Sequence, residues 1–232
     1  MLHAISQKKS QLHKRYLGYR EPDEVRVGEE DELTSLLIGP LAFLPAQAIA
    51  TFWERLIKHA HPSIDWPTGT VTQAQMHFWP RRPIAPQRYI EPDLLVQIHW
   101  PTGERRTLLV EFKWRAPLSS ERQLHDQWQK FLTLEEQAHA LHLFIAPEVS
   151  HGLAALDQDD IWQGRLLLRS WLDVLACLQR LPQTEDEPLG HWAAQVTKVL
   201  AMLNIHPFQG FVNLDAPTLE VTTQPIFWQP QD

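Results

Sequence analysis

A single cysteine, Cys177, serves the whole chain, so no internal disulfide framework can form, and a reducing, cytoplasmic setting is expected. Long hydrophobic runs are also missing. The longest, Leu36 to Ala50, is too short to cross a bilayer and is broken by Pro40 and Pro45, so no membrane span is expected. The polar, basic start does not read as a signal peptide. Neither a GxxxxGK[ST] phosphate loop nor a GxSxG nucleophile elbow occurs, which excludes ATP hydrolysis and serine-hydrolase chemistry of those types. Cysteine pairs are absent beside His59 with His61 and His139 with His142, which weakens a zinc reading of the twelve histidines. There is no internal repeat and no low-complexity tract. A formal net charge of -7 argues against easy binding to nucleic acid.

What is present is the composition of a soluble globular protein, 44% hydrophobic and 21% charged over 232 residues, enough for a substantial core. The informative stretch runs from Ile90 to Trp114, IEPDLLVQIHWPTGERRTLLVEFKW, and reads as two apolar strands joined by a tight turn. Alternation puts Leu109, Glu111 and Lys113 on one face of the second strand and Leu108, Val110, Phe112 and Trp114 on the other. Pro101-Thr102-Gly103 suits a three-residue loop with Gly103 left-handed, which pairs Trp100 with Glu104 and sets Asp93 opposite Glu111. A two-residue loop would instead set Asp93 opposite Phe112. Two carboxylates facing each other across strands repel unless a cation lies between them. A divalent ion together with Lys113 meets that need.

Pro92-Asp93, a spacer, then Glu111-Phe112-Lys113 resembles the PD-(D/E)xK motif of the restriction-endonuclease-like nuclease superfamily. The resemblance covers roughly Glu29 to Leu181. It implies an α/β fold, a mixed central β-sheet flanked by helices, with the core order αβββαβ. It also implies a metal site of Asp93, Glu111 and the Phe112 backbone carbonyl for Mg²⁺ or Mn²⁺, with Lys113 catalytic. In this superfamily the first core helix often adds a carboxylate, and EEDELTSLLIGPL is similar to that helix. Glu30, which shares a face with Leu33, Thr34 and Leu37, takes the role, with Glu29 and Asp31 behind it. A glutamine on the helix after the E-x-K strand occurs in some branches. Gln123 is the first choice and Gln127 the second, against a bland reading as exposed helix glutamines.

Around this core, a basic arm is expected over 1–28, the nuclease-like core over 29–182, and a C-terminal helix and tail over 183–232. Acids at Glu29 to Glu32 suit a helix start, Ala46 to His59 a second helix, and Val71 to Trp79 a strand. Pro80 to Arg88 reads as a proline-stiffened basic connection, since it cannot be a central strand. A helix from Ser119 or Ser120 to about His139 is expected next. Leu141 to Ala146 reads as a buried parallel strand, Arg165 to Arg169 as a strand passing into a helix at Ser170, and Leu189 to Asn204 as a last helix. Thr218 to Thr222 suggests an edge strand, and Phe227 and Trp228 a docking point. Locally, residues 81–122 hold eight Arg and Lys against five acids. The functional expectation is a Mg²⁺-dependent endonuclease acting on nucleic acid, DNA more than RNA, in defence against foreign DNA, with a protein partner or homodimer as further expectations. The alternatives are a non-catalytic DNA-binding or scaffolding subunit and an unrelated α/β protein with a structural Asp93–Glu111–Lys113 network.

Overall fold

The computed structural model describes residues 2–9, 11–18, 29–181 and 187–207. Two short helices, α1 (Leu2–Ser6) and α2 (His13–Tyr16), precede α3 (Glu29–Leu37). Pro40 lies in the 3₁₀ turn Gly39–Phe43, and Pro45 stands immediately before α4 (Ala46–Lys58), as the prolines require. Then come β1 (Gln73–Phe78), β2 (Arg82–Ala85), β3 (Arg88–Ile90), β4 (Leu94–His99) and β5 (Arg105–Phe112). A second half follows: α5 (Gln123–Asp126), a π-helical turn (Gln127–Phe131), α6 (Leu134–Ala138), β6 (Ala140–Ala146), α7 (Ser150–Gln158), β7 (Leu166–Ser170), α8 (Trp171–Gln179) and α9 (Pro188–Met202). Residues 19–28 of the expected arm, residues 182–186, and the tail features at 218–222, Phe227 and Trp228 lie outside the described residues.

The central sheet has the order β1-β4-β5-β6-β7; β4 pairs antiparallel with both β1 and β5, and β5, β6 and β7 are parallel. Helices cover both faces, so the chain is a mixed α/β sandwich. The β4–β5 hairpin has the expected register: Leu94 pairs with Val110 and His99 with Arg105. Trp100 N–H donates to the Glu104 carbonyl at 3.0 Å across the three-residue loop, and Gly103 sits at φ +86°. A side chain is strained at that φ, and glycine is not.

Each face has its own core. Leu108, Val110, Phe112 and Trp114 join Leu94, Val96, Leu141, Leu143 and Ile145 under α3, α4, α8 and α9, where Leu2, Ile5 and Tyr16 of the first residues also pack. On the other face Leu109, Leu95 and Phe144 pack under Leu124, Trp128, Ala155 and Trp162. Arg169, only 1% exposed, donates to the carbonyls of Leu56 (3.0 Å) and Ile57 (2.8 Å) and so satisfies the end of α4 with a cation, where the helix dipole favours one.

Two expectations change. Pro80 to Arg88 is more than a connection: β2 and β3 pair as a separate two-stranded ribbon, with Pro83 inside it and Gln87 at φ +58° in its turn. Nor is there one helix from Ser119 to His139. Ser119 spends its N–H and hydroxyl on the Gln123 side chain (2.7 and 2.9 Å) instead of capping a helix, so α5 begins only at Gln123. The π turn then breaks at Leu132, and a new capping box of Thr133 and Glu136 opens α6.

Candidate active site

The hairpin register delivers Asp93 and Glu111 to neighbouring positions at one end of the sheet. Asp93 lies just before β4, and its Oδ2 accepts the Phe112 N–H at 2.7 Å, which fixes it beside the Glu111-Phe112-Lys113 strand end. Glu111 is 1% exposed, on the β5 face that also carries Leu109. Lys113 follows on the same side, and its Nζ lies 2.8 Å from Glu111 Oε1.

Glu30 reaches this point from the opposite layer. Leu33, Thr34 and Leu37 bury their face of α3, which brings the helix N-terminus to the end of β5. Glu30 Oε2 accepts from Lys113 Nζ at 3.3 Å, while Oε1 accepts the backbone N–H of Trp114 (2.8 Å) and of Ala116 (3.3 Å). Asp31 turns to Trp79 instead, accepting from its Nε1 at 3.1 Å. Glu29 is the first residue of α3.

Both glutamines join the carboxylate. Gln123 Nε2 donates to Glu111 Oε1 at 2.6 Å, and Gln127 Nε2 donates to Glu111 Oε2 at 2.7 Å. Their four-residue spacing stacks them on one face, and Ser119 orients the Gln123 amide by donating to its Oε1. The reading as exposed helix glutamines fails for Gln127, which is buried.

A further layer was not anticipated. His142 Nε2 lies 3.2 Å from Gln127 Oε1, and Trp162 Nε1 donates to His142 Nδ1 at 3.1 Å. His142 and Trp162 are both fully buried. The available signal was a lone histidine in an otherwise apolar strand, ALHLFIA.

The electrostatics follow from gathering one buried acid, Glu111, and two partly buried ones, Asp93 and Glu30, around one ammonium. Burial raises the Asp93 pKa well above the ordinary carboxylate value, and Glu111 raises it further, while Lys113 and the Phe112 N–H oppose the rise. Burial likewise raises Glu111, against Lys113 and Gln127. For Lys113, burial alone would lower the pKa, but Glu111, Asp93 and Glu30 outweigh it, so the ammonium is held above its ordinary range.

Three donors therefore reach Glu111 and one reaches Asp93, leaving Asp93 the more open acceptor of the pair. Among the described residues no group of three or more His, Cys, Asp or Glu side chains gathers as a metal cage. The donors available at the strand end are two carboxylates and the neighbouring Phe112 carbonyl. These are hard oxygens in a small number, which fits an ion such as Mg²⁺ that keeps much of its water.

The chain matches no family model, no curated protein and no solved structure.

The flanking cations are mostly engaged. Arg81 pairs with Glu91, Arg82 with Glu136 (3.0 Å), Arg105 with Glu135 (2.6 Å) and Arg106 with Asp65 (3.0 Å). Arg88 and Arg122 are exposed and form no salt bridge among the described residues. Tyr89 is 51% exposed beside Arg81, whose guanidinium lies 4.7 Å from the ring centroid.

Proposed function

We propose that the protein is a metal-dependent nuclease of the restriction-endonuclease-like type, hydrolysing phosphodiester bonds of nucleic acid, DNA in preference to RNA. The observation that carries this reading is the meeting of Asp93 with Glu111 and Lys113 at one strand end, across 18 residues of hairpin, with a buried and a partly buried acid interacting around a single ammonium. A fold seldom retains so costly a cluster without a use for it.

In the proposed reaction a water oxygen adds to phosphorus, the ester P–O bond breaks, and the leaving oxygen takes a proton. Asp93, Glu111 and the Phe112 carbonyl are the groups that would hold Mg²⁺ or Mn²⁺. The chemistry such an ion supplies is neutralisation of phosphate charge and acidification of a water. Lys113 commits N–H bonds to Glu111 and Glu30, and an ammonium has three. The remaining one is the donor for a phosphate oxygen or the attacking water. Gln123 and Gln127 hold Glu111 in one orientation. Arg88 and Tyr89 on the β2–β3 ribbon supply a cation and a stacking face five and four residues before Asp93. The exposed ion pairs around them are worth about 0–1 kcal/mol each, so a phosphate competes for those arginines. Action against foreign DNA, and a partner or second copy to complete recognition, belong to the same proposal.

A second reading, a non-catalytic DNA-binding or scaffolding subunit, is favoured by one observation: Glu30, Lys113 and Glu111 already satisfy one another. Calorimetric titration with Mn²⁺ and a nicking assay on supercoiled plasmid, for the parent and for Asp93→Asn, separate the two. The asparagine keeps an acceptor for the Phe112 N–H. Metal-dependent nicking that disappears in a folded Asp93→Asn variant is the expected result. A parent that takes up no Mn²⁺, or a variant that nicks like the parent, overturns the nuclease reading.

A further inference from the structure

Behind Glu111 lies a line of buried hydrogen bonds whose direction is set at its far end. An indole N–H can only donate, so Trp162 Nε1 requires His142 Nδ1 to be an unprotonated acceptor. The neutral imidazole then carries its proton on Nε2. That N–H points at Gln127 and requires an oxygen there, which is Oε1 at 3.2 Å. An amide presents oxygen on one side and NH₂ on the other, so the Gln127 NH₂ is turned to Glu111 Oε2 at 2.7 Å. Turning the amide over would set NH₂ against the His142 N–H and oxygen against the carboxylate. Both contacts would be lost at once, at side chains that are buried from solvent.

The packing leaves the imidazole little freedom. Trp128 stacks over it at 9° with centroids 6.1 Å apart, and Trp162 lies 6.0 Å away on a tilted plane. His142 sits on β6 beside Leu109 of β5, two positions back from Glu111 along the same face. The line thus links the loop before β7, the strand β6, the π turn after α5 and the strand β5.

We propose that Trp162, His142 and Gln127 form a positioning chain that turns the Gln127 amide N–H toward Glu111 and fixes that carboxylate in one orientation for a divalent cation. The proposal rests on the metal reading for its purpose, though not for its geometry. Neither His142 nor Trp162 touches a substrate, so both are positioning residues. Outer partners of metal ligands commonly tune affinity about 10–100-fold.

Two measurements test it. In the intact protein, ¹⁵N-resolved spectra of the histidine rings report the tautomer of His142. A neutral ring with its proton on Nε2 at pH 7 is expected, while a proton on Nδ1, or an imidazolium, overturns the chain. Mn²⁺ titration then compares His142→Leu with His142→Gln, whose amide restores a donor to Gln127. His142→Leu should bind Mn²⁺ about tenfold more weakly, at the low end of the outer-partner range, and His142→Gln should recover most of that loss. A purely structural histidine predicts parent affinity in any variant that folds, and that result overturns the proposal. Trp162→Phe removes only the terminal donor, and it should convert the His142 signals to a mixture of both tautomers. An unchanged single tautomer counts against Trp162 as the residue that sets the direction. If the intact protein takes up no Mn²⁺, the metal reading falls and the cation-positioning role with it. The direction of the chain is still decided by the tautomer.

Discussion

At the scale of single residues, Asp93 and His142 carry opposite pH consequences. Asp93 is partly buried beside Glu111, and the cost of keeping both charged falls on the stability of the protein. Asp93→Asn removes one charge and keeps the acceptor for Phe112. In EDTA the folded variant should therefore unfold at a higher temperature than the parent. Adding Mn²⁺ should erase or reverse the difference, because an ion bound to the folded parent stabilises it by mass action. Thermal unfolding with and without the metal checks this. His142 is pushed down to about 3 from 6.5, first by burial and then by His125 packed nearby on α5. The unfolded chain thus binds a proton that the folded chain refuses between those values. This contribution to stability is intact above pH 6.5 and is lost as pH falls toward 3, by up to about 1.4 kcal/mol per pH unit. Urea titrations at pH 7, 5 and 4 should show the slope, and it should flatten in His142→Gln.

At the scale of elements, α7 comes close to the sheet because it has a glycine at the contact. A Cβ on Gly152 would lie 2.4 Å from Leu168 Cδ2 and 3.0 Å from Phe144 Cδ1. Gly152→Ala should therefore cost about 1–3 kcal/mol by overpacking, measured by urea unfolding, and Leu168→Ala in the same chain should recover part of it. The elements also show what a sequence can and cannot reveal. The hairpin was legible because alternation, Pro101 and Gly103 all point to one register, and that register alone brings Asp93 to Glu111. Glu30 was legible for a related reason, as an acid on a helix face that is otherwise apolar. The stretch from Ser119 to His139 was not, because its serine serves a side chain in place of a helix end and its π turn has no distinctive composition. His142 was invisible as a partner, since Gln127 lies 15 residues before it and Trp162 20 residues after it, and only the packed sheet brings them together.

At the scale of the molecule, the net charge is -7 and Arg81, Arg82, Arg105 and Arg106 are held in ion pairs, which leaves Arg88 and Arg122 as exposed arginines near the hairpin in sequence with no salt bridge among the described residues. On the proposed function, nucleic-acid binding should involve few phosphates and accordingly weaken only gently with salt. Arg88→Glu should lower affinity without changing sequence preference, and it should reduce the slope of log K against log salt by about 0.9 for duplex DNA, as read by fluorescence anisotropy. The loop from Pro101 to Gly103 has a different consequence at this scale. It is fully exposed and touches no part of the candidate site, and such loops ordinarily absorb insertions and deletions freely. What the hairpin cannot absorb is a slip of the pairing itself: a shift of β4 against β5 by one residue sends Leu94, Val96 and Ile98 to the wrong layer, whereas residues added between Trp100 and Glu104 lengthen the loop and leave every side chain behind it in place. The exposed tip is therefore free to vary in length while the pairing that brings Asp93 to Glu111 stays fixed.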